Sequence, residues 1–241
     1  MSKIVVIGGD TSTGKSTSCG RVDMPEMKID IKGLNPEVTY LFNVMAGKPL
    51  SSSFMAANYS KANKNLLESS SYDVIKAVVT KITEGVKYKN IIIDDFQYLM
   101  SLDYFSKKDQ DGFKKYAVMG FAVVDLLLNA MATRPDLIIY LLTHTDEEIS
   151  DGKTKVKLKT IGKMLDDTFK LAGMFTILLE SYKKWDPLAR KMEFGFRVRP
   201  DSEYSIAKAP IDMFVKDGKH LATISNDLSI VEDEIRKTYN I

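Results

Sequence analysis

The segment Gly9-Asp10-Thr11-Ser12-Thr13-Gly14-Lys15-Ser16 constrains this chain more than any other. It satisfies the pattern G-x-x-x-x-G-K-[ST] in full and directly follows the β-branched run Lys-Ile-Val-Val-Ile at residues 3–7. A run of that kind suits a strand buried on both faces of a parallel sheet. The two glycines let the backbone curl so that successive N–H groups point at phosphate oxygens, and a following helix N-terminus adds partial positive charge. The expected unit is therefore a strand, a phosphate loop from Gly9 to Thr17, and a helix kept short by Cys19, Gly20 and Asp23-Met24-Pro25. In such a loop Lys15 reaches the β- and γ-phosphates and the Ser16 hydroxyl ligates Mg²⁺.

The rest of the chain alternates strand and helix patterns. Residues 38–45, 89–96, 137–143 and 174–179 read as strands, and 72–85, 117–133 and 228–239 as helices. A late hairpin is expected from 194–199 and 204–207 around Pro200-Asp201, and residues 51–71 read as a surface loop with helical pieces. Alternation of this kind predicts an α/β fold, a mainly parallel sheet flanked by helices. No Pro-, Gly- or Ser-rich linker and no repeat divides the 241 residues, so one domain over 1–241 is expected. Hydrophobic residues at 44% and charged residues at 27% exclude a disordered chain or a coiled-coil rod. A formal net charge of +2 gives no global basic field, so any nucleic-acid binding must come from local clusters. The single cysteine, Cys19, excludes an internal disulfide and argues against a thiolate zinc site. No apolar run approaches the roughly 20 residues of a membrane span, and no signal-peptide layout precedes the first strand, so a cytoplasmic protein with no membrane partner is expected.

Asp94-Asp95 follows Ile91-Ile92-Ile93, which places both carboxylates at the C-terminal end of a buried strand, where open α/β sheets bind ligands. Asp94 is the candidate Walker-B residue for Mg²⁺, and Asp95 stands where related ATPases carry a water-polarising glutamate. Both also suit helix capping, since aspartate caps helices well. His144, in Thr143-His144-Thr145, ends the run at 137–143, where it can sense a γ-phosphate or make a local hydrogen bond.

Two polar segments leave the sheet near these residues. Residues 101–115 interleave Lys107, Lys108, Lys114 and Lys115 with Tyr104, Phe105 and Phe113, and Tyr116 follows; this mixture suits single-stranded nucleic acid, or rings packed back on the domain. After the turn signal Asp151-Gly152, Lys153, Lys155, Lys157 and Lys159 fall on every second residue, facing one way about 6.6 Å apart in an extended strand. That spacing suits phosphates of an extended strand, or an edge strand guarded against aggregation.

These residues together resemble the phage-encoded RecA-like ATPases of the single-strand-annealing recombinase type, a phage AAA-family ATPase. The likeness spans the P-loop, Asp94-Asp95, Gly47-Lys48-Pro49-Leu50, Thr143-His144-Thr145, Gly162-Lys163-Met164-Leu165 and Gly173-Met174-Phe175-Thr176. The tail makes it specific, with Ala207-Lys208-Ala209-Pro210, Met213-Phe214 and Ser225-Asn226-Asp227-Leu228 followed by Val231 and Ile235. The resemblance implies a RecA-like core, ATP with Mg²⁺, assembly into rings or filaments, and single-stranded DNA as a partner in phage recombination in the host cytoplasm. A phage single-strand-binding protein is a further expected partner. It also implies that basic residues of a neighbouring subunit complete the ATP site, for which Arg197, Arg199 and Lys208 are the candidates. One departure is that no glutamate ends the strand at 38–45, where RecA itself carries its catalytic acid. A nucleotide-gated binding module with little hydrolysis, an AAA+ loader and a small-molecule kinase remain as alternatives.

Overall fold

The computed structural model describes residues 1–27, 29–109, 112, 114–150, 153–160 and 170–241. Its centre is a mostly parallel sheet. β1 (Lys3–Gly9), β4 (Thr39–Asn43), β5 (Leu66–Glu68), β6 (Asn90–Asp94), β7 (Ile138–Ser150) and β9 (Ile177–Asp186) pair in parallel in the order β9-β1-β7-β6-β4-β5. β10 (Lys191–Arg197) and β13 (Thr223–Ser225) extend the β9 side antiparallel, and β8 (Lys153–Leu158) pairs with the far half of β7. Two small hairpins, β2 (Val22–Met24) with β3 (Ile29–Ile31) and β11 (Val215–Lys216) with β12 (Lys219–His220), lie outside the sheet.

Strand alternation separates two cores. Ile4, Val6, Ile91, Ile93, Ile139 and Leu141 face α2 (Tyr72–Glu84), α3 (Gln97–Ser106) and α4 (Lys114–Met131). Val5, Ile7, Ile92, Ile138, Tyr140 and Leu142 face α1 (Ser53–Asn58) and α5 (Leu228–Tyr239). Layers on both faces explain why the central strands read as unbroken apolar runs. α2 begins at Ser71, whose hydroxyl accepts from the Val74 amide, and ends at Gly85. α5 is capped by Asp227 in the same way, through the Ser229 amide.

Several sequence expectations are corrected. The late hairpin is β9–β10, turning at 187–190, whereas residues 204–207 form no strand; that stretch meets the sheet through the bridge Leu178–Lys208, the Val156 amide donating to the Tyr204 carbonyl, and Ser205 and Ile206 donating to Glu180 of β9. β7 does not stop at 143: it runs to Ser150, because β8 supplies partners for its outer half once β1 and β6 have ended. Residues 101–106 are the last turns of α3 and not a loop. Phe113, the Asp151-Gly152 turn and Gly162-Lys163-Met164-Leu165 lie outside the described residues. Among the described residues no helix is long and apolar enough to cross a membrane.

Candidate functional site

The loop from Gly9 to Ser16 leaves β1 where two neighbours crowd it. A Cβ on Gly9 would stand 2.0 Å from the Ser181 hydroxyl of β9, so close strand approach excludes a side chain there. Gly14 has φ +86°, and a Cβ on it would stand 2.4 Å from Asn226 Nδ2, so both conformation and space demand glycine. Asn226 Nδ2 donates to the Gly14 carbonyl at 3.1 Å. Thr13 hydrogen-bonds Ser181 between hydroxyls at 2.6 Å, and Lys183 Nζ reaches the Thr11 carbonyl at 3.1 Å. Asp10 accepts from the Thr11 amide and its carbonyl from the Thr13 hydroxyl; Ser12 completes the turn at φ +61°.

The expected helix after the loop is replaced by one 3₁₀ turn, Thr17–Cys19, ending at Gly20. Gly20 is held against Met55, and its main chain lies within 2.7 Å of where a Cβ on Gly33 would stand. The chain must therefore leave the helical path at once, and the macrodipole of a full helix is absent from this loop. Its positive charge comes from lysines instead. Lys15 is buried and its Nζ donates to the carbonyls of Gly9 at 2.9 Å and Asp10 at 2.8 Å. Burial lowers its pKa to about 8, against the upward pull of Asp94, Asp95 and Asp10.

The structure brings Ser16, Asp94, Asp95, Lys48 and His144 to one edge of the sheet. Ser16 Oγ donates to Asp94 Oδ1 at 2.9 Å across 78 positions of sequence. Burial and the neighbouring Asp95 raise the Asp94 pKa to about 6, while the hydrogen bond from Ser16 opposes the rise. A hydroxyl and a partly desolvated carboxylate at that separation fit a Mg²⁺ ion that takes its other ligands from water and phosphate. Among the described residues no group of three or more His, Cys, Asp or Glu gathers to hold a metal, at this edge or elsewhere.

Asp95 is buried in the left-handed region at φ +60° and pairs with Lys48. Burial lowers the Lys48 pKa, but the hydrogen bond and charge of Asp95 and the charge of Asp94 hold it above its ordinary value. Nothing in its sequence spacing assigns Lys48 to this site; the signal available was its place just beyond β4, the strand that pairs with β6. Replacing Lys48 with methionine leaves a buried carboxylate unpaired. The expected cost is about 1–2 kcal/mol, or a fall of roughly 2–8 °C in melting temperature. A calorimetric scan checks this, and adding Asp95→Asn is expected to recover most of the loss.

His144 lies opposite Gly9 in the β1–β7 register. Its amide donates to Gln97 Oε1 at 3.2 Å, and its ring meets Tyr98 edge-on. Burial and the charge of Lys15 lower its pKa, which keeps the imidazole neutral near pH 7. Gln97 was not foreseen: it is buried, with its Nε2 unpartnered.

The basic candidates fare unevenly. Lys107 is tied to Asp103 on its own helix, and Lys108 is exposed at the end of α3. Lys114 opens α4, and Lys115 Nζ sits 5.1 Å from the Tyr104 ring, which stacks on Tyr116 at 6.0 Å; Phe105 beside them is 67% exposed. This cluster begins one helix length, about 15 Å, from Asp95. On the β7–β8 arm the lysines do not stand alone. Lys155 and Lys157 oppose Glu148 and Asp146, and diagonal ion pairs join Lys157 to Glu148 at 3.4 Å and Lys159 to Asp146 at 3.1 Å; Lys153 opposes Ser150 in register. The bare lysine row of the sequence reading is thus a mixed-charge face.

The neighbour-contact candidates all make contacts within their own chain. Arg199 donates to the carbonyls of Ala209, Pro210, Ile211 and Met213, clamping its own chain. Lys208 Nζ donates to Ala172 O at 2.6 Å. Arg197 pairs with Asp201 at 2.6 Å and with the buried Glu180 at 3.7 Å and lies over Tyr182, with 35% of its side chain exposed. No protein-family model matches the chain, and no curated protein matches it.

Proposed function

We propose that the chain is a Mg²⁺-dependent ATPase with a RecA-like core, acting on single-stranded DNA in phage recombination. The observation that carries this reading is the 2.9 Å contact between Ser16 and Asp94, which joins the two motifs that an ATP–Mg²⁺ site needs. The strand order supports it: β7, with Thr143 and His144 at its sheet end, lies between the P-loop strand β1 and the Asp94 strand β6. Mg²⁺ held by Ser16 and Asp94 would offset phosphate charge as the γ-phosphoryl group departs. Lys15 would turn from the Gly9 and Asp10 carbonyls to the β- and γ-phosphates. Asp95, once released by Lys48, would orient the attacking water, and neutral His144 would hydrogen-bond the γ-phosphate. The test is phosphate release by the purified protein with Mg²⁺, with and without single-stranded DNA. DNA-stimulated release supports the reading, and ATP that is neither bound nor hydrolysed refutes it.

The Lys48–Asp95 pair favours a second reading, a nucleotide-gated module. With the water-orienting carboxylate occupied and no glutamate at the end of β4, ATP would drive binding to DNA with almost no turnover. ATP-dependent DNA binding without phosphate release would select it. An AAA+ loader is disfavoured, because after residue 170 the chain forms one 3₁₀ turn, strands and the single α-helix α5 in place of an all-helical lid.

DNA binding can be tested on the arm. Four independent phosphate contacts would contribute about 2.8 to the slope of log affinity against log salt. With Asp146 and Glu148 among the lysines, replacing Lys153, Lys155, Lys157 and Lys159 by alanine is expected to lower that slope by only roughly 1–2. A salt titration of oligonucleotide binding measures it; an unchanged slope returns the lysines to guarding the strand edge.

A further inference from the structure

The sheet order sets the direction in which a triphosphate must lie. Asp94 sits on β6, two strands from β1 on one side. On the other side β9, β10 and β13 follow, and there an open cavity of about 640 Å³ begins at Gly14 and Thr17 of the loop. With strands about 4.8 Å apart, a chain of phosphates whose γ end meets Asp94 crosses the end of β1 and delivers its α end to this cavity.

The cavity mixes apolar side chains with polar ones, Asp30, Lys191 and Glu193 among them, as a ring system with polar substituents requires. The hairpin β2–β3 contributes Met24 and Ile29 to one wall, and β9, β10 and β13 contribute Tyr182, Phe194 and Ile224 to the other. Met24 and Phe194 are large apolar side chains left 42% and 38% exposed, a cost that burying a ligand would relieve. Asn226 also lines the cavity, is 6% exposed, and commits its Nδ2 to the Gly14 carbonyl. Its Oδ1 is buried with no hydrogen-bond partner. A buried acceptor without a donor is costly, and a ligand N–H or O–H would satisfy it. The volume falls within the range of small-molecule sites.

We infer that this cavity binds the nucleoside of the triphosphate, stacking its base between the β2–β3 hairpin and Phe194, with Asn226 Oδ1 accepting from the base or ribose. The inference rests on reading the Gly9–Ser16 loop as the phosphate site, and the experiment separates the two. Mg²⁺-dependent affinities for ATP and for inorganic tripolyphosphate are compared by calorimetry in the native chain and in Phe194→Ala and Thr223→Trp. Asn226 is left unchanged because it also holds Gly14. The native chain is expected to bind ATP at least about tenfold more tightly than tripolyphosphate, a difference of about 1.4 kcal/mol. Both variants are expected to lose most of that preference while their tripolyphosphate affinity stays within about twofold. Tripolyphosphate bound as tightly as ATP by the native chain, or a preference unchanged in both variants, overturns the nucleoside pocket and leaves the phosphate loop standing. Loss of tripolyphosphate binding in both variants also overturns it, since those side chains would then support the loop. Failure of the native chain to bind either ligand overturns both readings.

Discussion

Lys15→Ala is expected to lower ATP turnover by roughly 10²–10³-fold while leaving the fold intact, the effect of deleting one preorganised group that meets developing phosphate charge. The fold survives because the Lys15 amine contacts two carbonyls of its own loop, Gly9 and Asp10, and belongs to neither hydrophobic core. Steady-state phosphate release together with circular dichroism measures both halves. Unchanged turnover and ATP affinity in a folded variant would remove the phosphate loop from the proposed chemistry.

Asp94→Asn is expected to divide stability from function. In the metal-free protein Asp94 is held near pKa 6 against 3.8 when unconstrained, chiefly by burial and then by Asp95. The folded state therefore binds more protons than the unfolded state between those values, and stability falls as pH rises from about 3.8 to 6. Above pH 6 the ionised carboxylate costs on the order of 2–3 kcal/mol, and below 3.8 the cost vanishes. Asparagine removes the charge yet still accepts from Ser16. At pH 8 the metal-free variant is expected to melt roughly 4–12 °C above the native chain, with the gain fading toward pH 4. Its Mg²⁺-dependent turnover is expected to fall by at least about 10²-fold. A variant less stable than the native chain at pH 8 would show that the carboxylate is held by attraction and not merely tolerated.

What could be read from the sequence was whatever rests on local pattern. Apolar runs of four or five residues gave the central strands, because layers on both faces leave no polar position within them. The glycine spacing located the loop, and the acidic pair after Ile93 marked the C-terminal edge of the parallel strands, where that loop also lies. What stayed hidden depends on partners distant in sequence. The 3₁₀ turn at Thr17–Cys19 follows from Gly20 meeting Met55 and the Gly33 segment. The outer half of β7 exists because β8 returns beside it, and that return also sets Asp146 and Glu148 among the lysines. Lys48 and Arg199 are both basic residues near turns in the sequence, yet one pairs with a buried carboxylate and the other binds four carbonyls. The residue type says that each can bond, and only the fold says to what.

Asn226 and Asp227 act as a latch between the two ends of the chain. Asn226 holds the Gly14 carbonyl, and the Asp227 carboxylate accepts from the amides of Lys32 at 2.8 Å, Gly33 at 3.0 Å and Ser229 at 2.9 Å. On a translating ribosome the glycine loop emerges more than 200 positions before the residues that pin it. A nascent chain can thus pair most of its central strands while that loop still lacks its final shape. The segment made early belongs to the site completed late, so a nucleotide bound there as proposed would add its binding energy to folding only after synthesis has passed Asp227.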